Sequence, residues 1–239
     1  ELAKGICERT AGAAVLEGSI ASLGSEFVVG LRAKNCRTGE MLDEEQAQAA
    51  RKEDVLNALS QVASRFRTRV GESLATVGTH DTPLEEATTP SLEALKAYSA
   101  GSKVLWSMDL AGAVPLLNRA IEIDPKFAMA HASLGFIYGL MGQLALSEES
   151  NRRAYALRDR VSDRERFFIT ASYETLVTGN VEKARETCEL WARTYPRDIQ
   201  PHPHLGAFVY PTLGKYEQGI AAASKTIELD PDFPVGYLQ

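Results

Sequence analysis

The stretch Ala128-Met129-Ala130-His131-Ala132-Ser133-Leu134-Gly135-Phe136-Ile137-Tyr138-Gly139-Leu140-Met141-Gly142-Gln143 decides the fold. Its apolar residues run through every turn of a helix, and Gly142 then breaks it. Gly135 is small enough for a second helix to approach closely. Asp124-Pro125 precedes the stretch, giving a capping oxygen and a residue whose missing N–H costs nothing at a helix start. Tyr195-Pro196 and Asp230-Pro231 are similar anchors. Pro196 to Pro231 is a step of 35, and Pro125 to Pro196 a step of 71, about two units plus a short insertion. A unit of this length that recurs is a helix pair stacked into an array.

The pattern resembles the tetratricopeptide repeat, a 34-residue helix–turn–helix. In that register the first repeat begins at Ala94, with Ala113, Leu117 and Ala120 at positions 20, 24 and 27. The second begins at Ala128, with Leu134 and Gly135 at 7 and 8, Tyr138 at 11, Gly142 at 15 and Ala154 at 27. Its position 32 is Asp159, so residues 158–163 read as an extended turn. The third begins at Glu165, with Gly179 at 15, Ala184 at 20, Cys188 at 24 and Pro196 at 32. The fourth begins at Gln200, with Ala207, Tyr210, Gly214, Gly219 and Pro231 at 8, 11, 15, 20 and 32. A truncated fifth starts near Pro234. Position 15 sits in the turn between the two helices, where a positive φ suits glycine. The first repeat departs from this with Met108. Pro203 and Pro211 predict that the first helix of the fourth repeat is kinked or starts late.

The first eighty residues have a period of two. Val15–Ile20, Phe27–Lys34 and Leu42–Ala49 read as short strands, with turns at Leu23-Gly24-Ser25 and Arg37-Thr38-Gly39. They form an antiparallel meander. A helix from about Lys52 to Leu74 carries an apolar stripe of Val55, Leu59, Val62, Phe66 and Val70 and should cover one face. Glu1–Arg9 reads as the tail of an earlier helix. The fold expected is thus a small α+β amino-terminal domain with an antiparallel sheet of three or more strands (residues 1–78). A linker (79–90) follows, then an all-α solenoid (91–239). Glu1 in place of Met, and Gln239 where a helix should begin, read as cuts from a longer chain.

Ala14–Ile20, Val29–Ala33 and Thr38-Gly39 resemble the TolB-like domain that precedes tetratricopeptide arrays in bacterial signalling proteins. Those include membrane-bound serine/threonine kinases, adenylate cyclases and winged-helix regulators. Residues 83–94 resemble the joint found in the kinase group. The resemblance implies a non-catalytic sensory or scaffold region, and an extracytoplasmic portion of a membrane-anchored protein. The chain carries no Gly-rich loop before a β3 lysine, no HRD and no DFG, so no enzyme activity is expected of it.

Net charge is −6, which argues against a nucleic-acid partner. Arg65, Arg67 and Arg69 form the one basic cluster and read as a solvated helix face. No apolar run reaches the ~18 residues a membrane span needs. No cofactor or metal is expected: His202 and His204 lack a third ligand, and His80 and His131 are isolated. Asp43-Glu44-Glu45 would point to alternating faces of a strand. Cys7 and Cys36 flank the sheet and either form a disulfide or remain two unpaired thiols. Cys188 reads as a small buried hydrophobe.

By the tetratricopeptide resemblance, positions 2, 5, 9, 12 and 13 line the concave groove, and positions 5, 9 and 13 carry the apolar and aromatic residues. The candidates are Tyr98, Trp106, Phe136, Leu140, Ile169, Tyr173, His204 and Phe208. Their apolar and aromatic character disfavours a carboxylate clamp and favours an apolar or extended peptide. Packing of the same rings against the sheet domain, a further repeat or a second copy in a homodimer is the competing reading. A second functional class is a regulatory domain whose α/β part binds a small molecule and whose repeats relay it.

Overall fold

The computed structural model describes residues 13–24, 26–69, 88–231 and 233–237. The chain divides into two units, Glu1–Leu92 and Glu93–Gln239.

The amino-terminal unit holds β1 (Ala14–Leu23), β2 (Glu26–Asn35) and β3 (Met41–Ala49), an antiparallel sheet in sequence order. All three strands run longer than the period-two pattern alone suggests. Gly24 and Gly39 take the positive φ (65° and 75°) of the two turns. The Asn35 side chain accepts from the backbone N–H of Arg37 and Thr38, closing the second turn. A short 3₁₀ turn at Lys52–Asp54 leads into α1 (Val55–Arg69). The predicted helix beyond Arg69, the linker to residue 87 and Glu1–Arg9 lie outside the described residues. Val55, Ala58, Val62 and Phe66 are buried on α1, and Val55 and Ala58 pack with Val29 and Ala49 of the sheet. The helix covers β2 and β3, so Leu16 and Ile20 on β1 remain exposed. Strand alternation separates the acidic run as expected. Asp43 and Glu45 both pair with Arg69 of α1, while Glu44 on the other face pairs with Arg32 at 2.8 Å. The first two carboxylates hold the helix on the sheet.

Among the described residues the helical unit contains four helix pairs. They are α2 (Leu92–Trp106) with α3 (Leu110–Ile123), and α4 (Ala128–Leu140) with α5 (Leu144–Ala156). The third is α6 (Asp163–Tyr173) with α7 (Val181–Thr194). The fourth is α8 (residues 201–212) with α9 (Tyr216–Leu229). Each pair is joined by a turn holding one residue at positive φ: Met108 (62°), Gly142 (73°), Gly179 (67°) and Gly214 (69°). These are the four position-15 residues. Asp109 and Asn180, next in line, cap the second helices of their pairs through the backbone N–H of Gly112 and Lys183.

The second pair runs antiparallel. Gly139 faces Ser147 and Gly135 faces Asn151, so the residue numbers rise on one helix as they fall on the other. A Cβ on Gly135 would collide with the Asn151 carboxamide. Position 20, Ser147, donates to the Gly135 carbonyl at 2.7 Å, and position 24, Asn151, donates to the Ser147 carbonyl at 2.9 Å. This pair thus has a polar seam where the first and third pairs have Ala and Leu or Cys.

The four turns step by 34, 37 and 35 residues. The excess over 34 has visible places. Part lies in the 3₁₀ turn Arg158–Arg160, at the expected extended turn, after which Ser162 and Glu165 form a reciprocal capping box for α6. The rest lies in two π turns. One, Glu174–Thr178, ends the first helix of pair three. The other, His204–Val209, divides α8 into Pro201–Pro203 and Tyr210–Thr212. The expectation that the first helix of the fourth pair starts late is corrected: it starts at Pro201, and its irregularity is a widened π segment. Pro203 and Pro211 cannot donate i→i−4 bonds, and an i→i+5 segment takes up the slack. The widening also shifts the close contact with Gly219 from Ala207 to the carbonyl of Gly206.

Between pairs three and four, Asp198 is buried. It accepts from the Trp191 indole N–H at 2.9 Å, from Arg164 Nε at 2.8 Å and from the Gln200 N–H. Every bond is to a charged acceptor, so the cluster is a strong staple.

Candidate functional site

Ring packing sorts the predicted groove residues into three groups. Phe136 of α4, Phe168 of α6, and His204 and Phe208 of α8 form one cluster. Phe136 lies 5.8 Å from His204, stacked, and 6.0 Å from Phe208, edge-on. Phe168 closes the set at 6.5 Å from Phe136 and 5.4 Å from His204. The first helices of pairs two, three and four therefore turn rings toward one another. Phe136, Phe168 and Phe208 are half-buried, while His204 is buried within the set. Burial pushes the His204 imidazole down to about 4, against a weaker upward pull from the Gln200 backbone. The ring is neutral at pH 7, and the cluster carries no formal charge.

The second group holds Ile169, which is sealed and whose groove assignment is corrected, and Tyr98, which is half-buried. Ile169 is 1% exposed, inside a core with Ala132, Ala154 and Val161. Tyr98 lies on Phe127 at 4.8 Å, and its hydroxyl meets Ser133 and Ser102; burial raises its pKa. Position number gives the side of a helix, but the neighbouring pair packs close enough to cover that side near the helix start.

The third group makes its contacts outside the cluster. Tyr173 stacks on Tyr155 of α5 at 3.9 Å, with the Arg158 guanidinium 4.0 Å from the Tyr155 ring in a cation–π contact. Leu140 is exposed. Trp106 is 43% exposed and meets Phe233 edge-on at 5.2 Å.

Phe168, Tyr155 and Phe233 belong to these ring sets and are absent from positions 5, 9 and 13. An aromatic beside a groove position, as in Phe167-Phe168-Ile169, was the available signal for the first of them.

Cys188 is buried with its thiol pushed up to about 12, chiefly by burial, so it behaves as an inert apolar group. Cys7 lies outside the described residues, as does His80. His131 is buried and bonds the Pro125 carbonyl at 3.0 Å through Nε2. Among the described residues no group of His, Cys, Asp and Glu could hold a metal ion, and no helix is long and apolar enough to cross a membrane.

No family model matches the chain, and no curated protein matches it. Solved structures with a similar course include TTC0263, a thermophilic TPR protein of Thermus thermophilus. It is 19% identical, with a TM-score of 0.44, and the match covers 58% of this chain and 75% of that one. The pilF protein of Pseudomonas aeruginosa is 22% identical at 0.42, covering 61% and 65%. YrrB, described as a TPR protein with an unusual peptide-binding site, is 19% identical at 0.36, covering 73% and 87%. The four positive-φ turns and their spacing, and not these likenesses, carry the repeat.

Proposed function

We propose that the helical unit is a protein-interaction module whose wall of rings takes an uncharged, aromatic-bearing peptide or protein segment. The observation that carries this reading is the Phe136–Phe168–His204–Phe208 cluster. Three successive first helices contribute to it, three of its rings are still partly open to solvent, and none of its members is charged at neutral pH. Two π turns accompany these helices, and π turns are frequent at functional sites. The TolB-like resemblance of the amino-terminal unit supports reading the module as the sensory or scaffold region of a larger bacterial signalling protein. The chemistry for an enzyme is missing from both units as read from sequence.

Selection from a library of uncharged, aromatic-containing peptides tests the reading. Phe136→Ala and Phe208→Ala should each weaken the selected peptide about 30-fold, or about 2 kcal/mol, as buried aromatic anchors do. Tyr173→Ala should weaken it less, because Tyr173 is already stacked on Tyr155. Unchanged affinity in the first two variants, with melting curves showing them folded, removes the groove reading.

A further inference from the structure

Phe127 and Phe233 stand at the same place in the repeat, the residue before the next pair begins, and they are used differently. Phe127 is fully buried and packs on Tyr98, position 5 of its own repeat. The corresponding partner for Phe233 is His204, but the rings around His204 are Phe136, Phe168 and Phe208. Phe233 instead reaches Trp106, at the far end of the first helix of the first repeat. A contact between residues 106 and 233 ties the beginning of the array to its end. Phe136 of the second pair likewise touches Phe208 of the fourth. The segment bearing Phe233 is itself anchored. The turn Pro234–Tyr237 follows it, and Gly236 lies so close to α9 that a Cβ there would stand 2.9 Å from Ile227 Cγ1 and 3.2 Å from Thr226 Cγ2.

We propose that Phe233 with the turn after it is a strap, clasped to Trp106, that holds the array curled and its rings against one another. Opening the clasp frees the ring wall, so a peptide and the strap compete; this second half rests on the reading of the wall as a peptide site. The clasp is a single edge-on ring pair with Trp106 still partly in water, an interaction of the size that a ligand can overcome.

The chain has two tryptophans, and Trp191 is 2% exposed and bonded to Asp198. Protein labelled with 5-fluorotryptophan therefore gives two ¹⁹F resonances, of which one reports the clasp. Phe233→Ala should move the Trp106 resonance and leave that of Trp191 in place. Gly236→Val, which pushes the turn off α9, should move it in the same direction. A Trp106 line unmoved by both variants overturns the strap. The library-selected peptide should shift the wild-type Trp106 line toward its Phe233→Ala position and bind Phe233→Ala several-fold more tightly, because the closed fraction no longer taxes affinity. A peptide that binds without moving that line overturns the competition. If no peptide binds while Phe233→Ala still moves the line, the strap stands and the peptide reading alone fails.

Discussion

The first two helix pairs and the last two follow one plan with different results. From Met108 to Gly142 the step is 34 residues, and the first helices are regular. From Gly142 to Gly214 the chain carries extra residues, and both first helices contain π turns. The early aromatic, Tyr98, is half-buried against Phe127. The later ones, Phe168, His204 and Phe208, gather with Phe136 into a cluster. The widened pairs supply three of the four rings of the wall, and the regular second pair supplies Phe136. The difference teaches that insertions within a solenoid helix can build a surface without breaking the stack.

Four measurements bear on this contrast between the pairs. The largest effect expected is on acid stability. His204 is neutral and buried when folded, with a pKa of about 4 against an ordinary 6.5. The unfolded chain therefore binds the proton more readily between those values. Stability contributed by this group is complete above pH 6.5 and is lost as pH falls toward 4, by about 3 kcal/mol. His131 and His202 are also lowered by burial and add to the slope. Denaturant melts from pH 7 to 4 should show a shallower decline in His204→Phe, with His131, His202 and lowered carboxylates such as Glu44 and Glu182 contributing to the slope that remains.

Next is the staple between pairs three and four. Asp198→Ala leaves the Trp191 indole N–H buried without its acceptor, and should cost about 2–3 kcal/mol in chemical denaturation. The exposed Arg164 side chain limits the share due to its charge.

Gly135→Ala probes the close approach in the second pair. The added methyl meets Asn151, and overpacking of this kind costs about 1–3 kcal/mol. Asn151→Ala in the same chain should recover part of the loss, and a double-mutant cycle reads the coupling. Equal penalties with and without Asn151 would place the strain elsewhere.

The smallest effect concerns the turns. Met108→Gly should leave stability unchanged or raise it by up to about 1 kcal/mol, because a left-handed φ strains every residue but glycine. Gly142→Met should lose about 1 kcal/mol by the same strain. Gly142→Met should lower the melting temperature and Met108→Gly should not; a loss in Met108→Gly would overturn the strain reading of that turn.

Much of this fold is legible in the sequence. Alternation in Phe27–Lys34 marks a strand, and the glycines at position 15 mark turns whose φ requires them. Asp159 in place of proline marks the interruption before α6. Other features are hidden for physical reasons. Pro203 and Pro211 announce an irregular helix, but the missing donors do not by themselves specify the π turn that relieves them. Asn151 stands at a core position because Ser147 and Gly135 face it, which only the paired helix reveals. The rings of the site are legible as a stripe, yet which are covered depends on how neighbouring pairs close. Ile169 is lost to the core for that reason, Tyr98 is half-buried against Phe127, and Phe168 joins the wall from beside the expected position.

The central claim is that partners bind where Phe136, Phe168 and Phe208 meet. Photo-crosslinking tests it most directly, with p-benzoylphenylalanine placed in turn at Phe136, Phe208, Leu190 and Ile220 and the library-selected peptide as bait. Leu190 and Ile220 are apolar and exposed on second helices, so they control for simple stickiness. The account predicts crosslinks from 136 and 208 and none from 190 or 220. Crosslinks from the second-helix positions, with none from 136 or 208, would contradict it.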